Sequence, residues 1–220
     1  MEAITAEAVA ASLAEVRQAL QRWGLLLQTD PIAPSVTTIV ARRPVRGSWW
    51  GNPAASGTYE VCEALDDAGL FCIKLLSGKL TYVRGDLVPG VAAMGLSDQP
   101  WQMQGMSSQA SQLLNWVEET GEVRVDRLPP GSTRSNSPAA AARDLEMRLL
   151  VHAGNLHTER GAHTKLLQSW TRWAERSEIS HLPSAAEAQQ SLEATAAAIN
   201  AEFASTLALP WQRKRPNRSR

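Results

Sequence analysis

Apolar residues recur through the first 28 positions at the spacing of a helix. Val9, Leu13, Val16, Leu20, Trp23 and Leu27 alternate steps of four and three, which predicts one long amphipathic helix over 5–28. Thr5 is placed to cap its start and Glu7 lies near its positive end. Asp30-Pro31 and Pro34-Ser35 break the pattern. Ser35 to Arg42 reads as a short helical or extended piece. A polar loop from Arg46 to Pro53 follows and carries the adjacent Trp49 and Trp50. Gly57 to Ala68 returns to helix, with Tyr59, Cys62 and Leu65 inward and Gly69 as the stop.

The period then changes. Leu70 to Leu76 and Leu80 to Val83 are rich in strand formers and flank Ser77-Gly78-Lys79, which predicts a hairpin. Arg84 to Met94 reads as a helix bent near Pro89-Gly90. The run from Trp101 begins a second part, with Gln102-Met103-Gln104 in a linker. A helix over 107–120 buries Ala110, Leu113, Leu114 and Val117, and Gly121 stops it. The short segment Glu122 to Leu128 precedes a Ser-, Gly- and Pro-rich stretch to Asn136. Ser137 and Pro138 then open a helix to about Leu150. Val151 to Glu159 reads as a strand and Thr164 to Glu175 as a helix. Ser184 to Glu187 forms a capping box before an Ala-rich helix to about Thr206. Leu192, Ala196, Ile199 and Phe203 line that helix, which is placed to pair with the first one.

These patterns predict an α+β protein, mostly α: a helical protein with a β-hairpin and a winged helix-turn-helix-like second half. The expected organisation is a helical N-terminal part with the hairpin over 1–98, a winged-helix-like part over 99–180, a C-terminal helix packing back over 181–209, and a disordered basic tail over 210–220. Hydrophobic residues at 44 % and charged residues at 20 % argue against global disorder. No apolar run reaches the roughly 20 residues of a membrane helix. The start, Met-Glu-Ala-Ile-Thr, lacks the pattern of a signal peptide, so a cytoplasmic location is expected. Cys62 and Cys72 fit no zinc or redox spacing and read as buried thiols.

Charge is balanced, at 22 basic and 22 acidic residues. Five of the basic ones, Arg213, Lys214, Arg215, Arg218 and Arg220, crowd the last eight positions. Without them the body is acidic, which excludes a general polyanion binder. The tail itself is a candidate phosphate-binding arm or a solvated end. Tryptophan is plentiful: eight residues against two Tyr and two Phe.

Three groups of residues carry candidate chemistry. In a winged helix the helix over 138–150 would face a DNA groove, and Arg143 and Arg148 are its candidate phosphate contacts, joined by Arg213, Lys214 and Arg215. Ala139 to Ala142 offer no hydrogen bonds to bases. The second group is His157, Glu159 and His163, with His152 nearby. His157 and Glu159 share one strand face, and a wing turn would return His163 to them. Two imidazoles and a carboxylate suit proton transfer or a divalent metal, although no standard metalloenzyme spacing is present. The bland counterpart is a hydrogen-bonded network pinning the wing to the helix at Ser169 and Trp170. No cofactor is otherwise expected. Trp49 and Trp50 form the third group, as anchors for a protein partner. Ser77-Gly78-Lys79 lacks a phosphate-loop frame. Gln102-Met103-Gln104 matches, by three residues, a triplet of winged-helix DNA glycosylases, and reads more simply as linker.

Gly47-Ser48-Trp49-Trp50-Gly51, the stretch Lys74 to Val83, and His157-Thr158-Glu159-x-Gly161-x-His163 with Ser169-Trp170-x-x-Trp173 together resemble a family of uncharacterised bacterial proteins. The resemblance covers about residues 35 to 175. Similar proteins tend to read Gly-His-Pro at Gly51-Asn52-Pro53 and His-Arg at Arg84-Gly85, so this chain lacks the histidines found there. The resemblance implies no activity. The leading functional expectation is a nucleic-acid-binding or regulatory protein acting through the winged-helix-like part. The alternatives are an enzyme acting on nucleic acid, glycosylase- or nuclease-like, through His157, Glu159 and His163, and a protein-interaction module anchored by Trp49 and Trp50. Oligomeric state is left open.

Overall fold

The protein is seen in a computed structural model that describes residues 5–128, 137–157 and 163–213. Its elements run α1 (Ala6–Trp23), β1 (Leu25–Leu27), α2 (Val36–Ala41), α3 (Ala55–Asp67), β2 (Cys72–Lys74), β3 (Leu80–Val83) and α4 (Val88–Gly95). They continue with α5 (Pro100–Met103), α6 (Ser108–Thr120), β4 (Glu122–Arg124), α7 (Pro138–Met147), β5 (His152–His157), β6 (His163–Gln168), α8 (Trp170–Arg176) and α9 (Ala185–Phe203). The fold is α+β and mostly helical. The chain divides into two units: Met1–Val88 with Gln190–Arg220, and Pro89–Gln189. The division falls ten residues before the expected boundary, and the last part of α9 belongs to the first unit. Among the described residues, no helix is long and apolar enough to cross a membrane.

In the first unit, α1 starts as its sequence predicts, with the Thr5 hydroxyl accepting from the Ala8 amide at 3.3 Å. It ends earlier than predicted, at Trp23. Gly24 adopts φ 75°, the left-handed conformation that glycine takes at little cost, and its amide donates to the Leu20 carbonyl. Leu25, Leu26 and Leu27 are then all buried, at 0–1 % exposure. A helix with one apolar seam cannot bury three successive leucines, whereas an interior strand with both faces covered can. They form β1, which pairs antiparallel with β3 through Leu25↔Val83, Leu26↔Tyr82 and Leu27↔Thr81. The predicted hairpin is β2 and β3, so the sheet order is β1-β3-β2. Val16, Leu20, Leu26, Val61, Leu65 and Tyr82 fill the core between sheet and helices.

The chain's C-terminal segment completes this unit. Trp23 Nε1 donates to Glu202 at 3.0 Å, and its ring meets Phe203 edge-on at 5.1 Å. Leu207 and Leu209 are buried, and so is Pro210 in the 3₁₀ turn Pro210–Gln212. The Ser77 amide donates to the Ala208 carbonyl at 2.7 Å, and Trp211 Nε1 donates to Glu193 at 2.7 Å. The basic tail expected over 210–220 is therefore packed through Arg213; residues 214–220 lie outside the described residues.

In the second unit, α6 places Ala110, Leu113, Leu114 and Val117 against Ala141, Ala142 and Leu145 of α7. A second antiparallel sheet has the order β4-β6-β5. The stretch 164–175, expected as one helix, is instead split. Six residues of β6 pair with β5 from His152↔Gln168 to His157↔His163, and this ladder outweighs the local helical spacing. Ser169 then caps α8, its hydroxyl accepting from the Arg172 amide. The linker expected between Pro100 and Ser107 contains the short helix α5.

Candidate functional site

The α7 helix begins as predicted, with the Ser137 hydroxyl accepting from the Ala140 amide at 3.2 Å. Its outward side shows Ala139, Ala140 and Arg143. Arg148, at its C-terminal end, is 5 % exposed. The Arg148 guanidinium donates to Asp144 at 2.7 Å and to the carbonyls of Gln102 at 2.7 Å and Gln104 at 2.9 Å. The expected phosphate contact is corrected here: Arg148 braces α5 against α7 and has no face left for a ligand. Asp144 is held by the same ion pair. Arg213 likewise donates inward, to the Leu75 carbonyl at 3.2 Å. Lys214 and Arg215 lie outside the described residues.

Gln102 is fully buried. Its amide nitrogen donates to the Gly95 and Leu149 carbonyls at 3.2 and 3.5 Å, and its oxygen accepts from the Gln99 amide at 2.7 Å. The Gln102 side chain is therefore committed to packing and is not free for the water-activating role considered for the Gln102-Met103-Gln104 triplet. A buried Gln is costly unless satisfied, and here every bond goes to holding α5.

The backbones of His157 and His163 sit opposite each other across the β5–β6 ladder. Their side chains, and the whole of Glu159, lie outside the described residues. Among the described residues no group of three His, Cys, Asp or Glu is arranged to hold a metal ion. His152, at the other end of the same ladder, is described. Its ring stacks on Trp173 at 5.1 Å and 28°, and stands edge-on to Trp170 at 6.1 Å. Burial pushes its imidazole down to about 4, against opposing effects of a Gln168 hydrogen bond and the Glu146 carboxylate. It is neutral at pH 7. Glu146, 3 % exposed, is paired with Lys165 of β6. Trp170 Nε1 donates to the Leu149 carbonyl at 2.7 Å. This aromatic and polar cluster fastens the hairpin to α7 and α8.

Of the remaining candidates, Trp50 is exposed and Trp49 is half-buried. Trp49 and Trp50 start the 3₁₀ turn Trp49–Gly51, and the Asn52 side chain accepts from the Ala54 amide at 2.9 Å to lead into α3. The two indoles stack at 4.1 Å and 24°. Trp50 is 64 % exposed. It lies 6.2 Å from the Tyr59 ring, which is 37 % exposed. Tyr59 was expected inward with Cys62 and Leu65; Gly57, Thr58 and Val61 take the buried positions of that turn instead. The Tyr59 hydroxyl donates to the Glu63 carboxylate, which pushes the phenol's titration up.

The pairing of Tyr59 with Glu63, four residues apart on one helical face, was not read from the sequence; that spacing was the available signal. Glu60, Glu63, Asp66 and Asp67 are all exposed on α3. Partial burial raises the Asp66 carboxyl, the Tyr82 hydrogen bond opposes this, and the charges of Asp67 and Glu63 raise it further. Like charges are thus close enough here to repel. Arg43 and Arg46 are exposed on the segment before the ledge.

Comparison with known proteins adds no relative: no protein family matches the chain, and neither a curated protein nor a solved structure matches it.

Proposed function

We propose that this protein is a non-catalytic interaction module that docks a protein partner on the ledge formed by Trp49, Trp50 and Tyr59. The observation that carries this reading is the stacked tryptophan pair with Trp50 held 64 % exposed. Indole burial is strongly favourable, and exposed Trp and Tyr that are already rigid make the energetic anchors of interfaces. The ledge is pre-organised: stacking and the turn into α3 fix both rings, so a partner loses little entropy in using them.

The nucleic-acid reading has less support. We read the second unit as a winged helix, since a helix, a strand, a second helix and a hairpin occur in that order with the sheet order β4-β6-β5. In that reading α7 would enter the groove, yet Arg143 is the one guanidinium on its outward side. A winged helix with such a face fits a scaffold or protein contact.

The test places a photo-crosslinking amino acid at position 50 and, separately, at position 143, in the full chain inside cells. The reading expects discrete protein adducts from position 50 that a neighbouring Trp49→Ala substitution removes, and none of these from position 143. Nucleic-acid adducts from position 143, with none of protein from position 50, would overturn it.

A further inference from the structure

Resting on that reading, we infer that the partner segment taken by the ledge is basic, presenting Arg or Lys to the Trp50 face while its other cations meet Glu60, Glu63 and Asp67 of α3. The argument starts from geometry. Tyr59 belongs to both features: its ring lies 6.2 Å from Trp50 and its hydroxyl is bonded to Glu63. Glu60 and Asp67 lie three residues before and four after Glu63, on the same side of the helix. The aromatic ledge therefore runs directly into an acidic stripe. Burial is the main cause of the raised Asp66 carboxyl, and the charges of Asp67 and Glu63 add to it, as neighbours on this stripe would.

The ring faces are also open to a cation. Among the described residues, the guanidinium recorded over an indole is that of Arg22, on Trp23 at 5.1 Å; neither Trp49 nor Trp50 carries one. Indole is the strongest neutral π-acceptor for a guanidinium or ammonium. An acidic border raises the local concentration of cations and lowers that of anions. An anionic partner would have to approach four exposed carboxylates on α3 to reach the same rings. Arg43 and Arg46 precede the ledge in sequence, but the residue bonded to the ledge itself is Glu63. Charge complementarity thus selects an Arg- or Lys-bearing peptide segment over an acidic peptide or an oligonucleotide.

The experiment measures fluorescence anisotropy of three labelled probes against the full chain. One is a ten-residue peptide of alternating Arg and Gly, one is its Glu-for-Arg counterpart, and one is a dT12 oligonucleotide. The basic peptide is expected to bind at least about tenfold more tightly than the acidic one at low salt, and to weaken as salt rises. Trp50→Ala is expected to weaken it about tenfold, the size of a single aromatic anchor, with Trp50→Tyr recovering part of the loss. Glu63→Gln and the double change Glu60→Gln with Asp67→Asn are each expected to cost several-fold and to flatten the salt dependence. Trp50 and the carboxylates are exposed, so circular dichroism should confirm an unchanged fold, and Arg143→Ala should bind like the parent.

Equal binding of both peptides, or full affinity in Trp50→Ala, would overturn the inference. If position 50 still crosslinks a protein in cells, the docking ledge stands and its basic specificity alone falls. Trp50-dependent binding of the oligonucleotide in place of the peptide would remove both. If the basic peptide binds only to a chain ending at Arg213, the protein's own residues 214–220 are the occupant and the inferred partner segment is wrong.

Discussion

Gly95 and Trp170 meet so closely that one added methyl group should break the second unit's packing. A Cβ built on Gly95 would fall 2.3 Å from Trp170 Cε2 and Nε1. The indole is 2 % exposed and its Nε1 donates to the Leu149 carbonyl at 2.7 Å. It is also confined by Trp173 at 5.5 Å and His152 at 6.1 Å. Relieving the clash demands a shift of about 1 Å or more, because ordinary carbon contacts lie near 3.5 Å. Overpacking of this kind costs about 1–3 kcal/mol, and losing the buried indole hydrogen bond adds about 1–3 kcal/mol. Greater helix propensity returns at most about 1 kcal/mol. The net expectation for Gly95→Ala is a loss of about 1–5 kcal/mol. Gly90 is the matched control on the same helix. Its added Cβ would sit 3.8 Å from Ala188, an ordinary contact, so Gly90→Ala should stabilise by about 0.5–1 kcal/mol. Urea unfolding followed by tryptophan fluorescence reads both. Equal midpoints for the two variants would refute the reasoning, because only the clash separates them.

Arg148→Met should destabilise by about 2–4 kcal/mol, since it leaves two carbonyls and Asp144 without their donor, whereas Arg143→Ala should stay within about 0.5 kcal/mol; thermal melts of both check this. His152 stays neutral when folded, with its pKa held down to about 4, so the unfolded chain binds the extra proton first. Stability is full above the ordinary histidine value and falls as pH drops toward 4, by about 2 kcal/mol between pH 7 and 5. Urea midpoints across that range should show the slope, and His152→Gln should flatten it. Burial raises the Asp30 carboxyl, but Lys79 at 2.7 Å and the amides of Ala33 and Ile32 together hold it below the ordinary value of 3.8. Its contribution is complete above that value and lost as pH falls through the lowered pKa. Asp30→Asn should therefore cost about 1–3 kcal/mol at neutral pH, with a gap to the parent that narrows in acid denaturation experiments.

The helices were legible wherever a single apolar seam met a capping residue. Thr5 and Ser137 accept the hydrogen bonds their positions imply, and Ser184 exchanges bonds with Glu187 as the expected capping box. The hairpin of β2 and β3 was legible from its turn. What escaped was long-range. Leu25-Leu26-Leu27 continues a helical period, and only its pairing with β3, more than fifty residues away, makes it a strand. β6 was hidden because Leu166 and Leu167 fit a helix as well as a strand, and the ladder with β5 decides between them. Arg148 looked like a surface charge because sequence does not show the carbonyls of Gln102 and Gln104 that converge on it. Trp49 and Trp50 were visible as candidates from their loop context. The role of Tyr59 was not, since its outward turn follows from Gly57 and Thr58 filling the interior.

The first unit is made from two stretches of chain that flank the second, and this sets an order of events during synthesis. Ser77 is bonded to Ala208, 131 positions later, and buried Leu207 and Leu209 belong to the same unit. A ribosome working at about 5–20 residues per second therefore releases the whole of Pro89–Gln189 before the first unit has its last buried side chains. During that interval the apolar faces of α1, α3 and the β1-β3-β2 sheet wait without their final segment. The inserted unit is free to fold first, and the earlier-made unit closes only after it, an interval in which a nascent-chain chaperone would find its substrate.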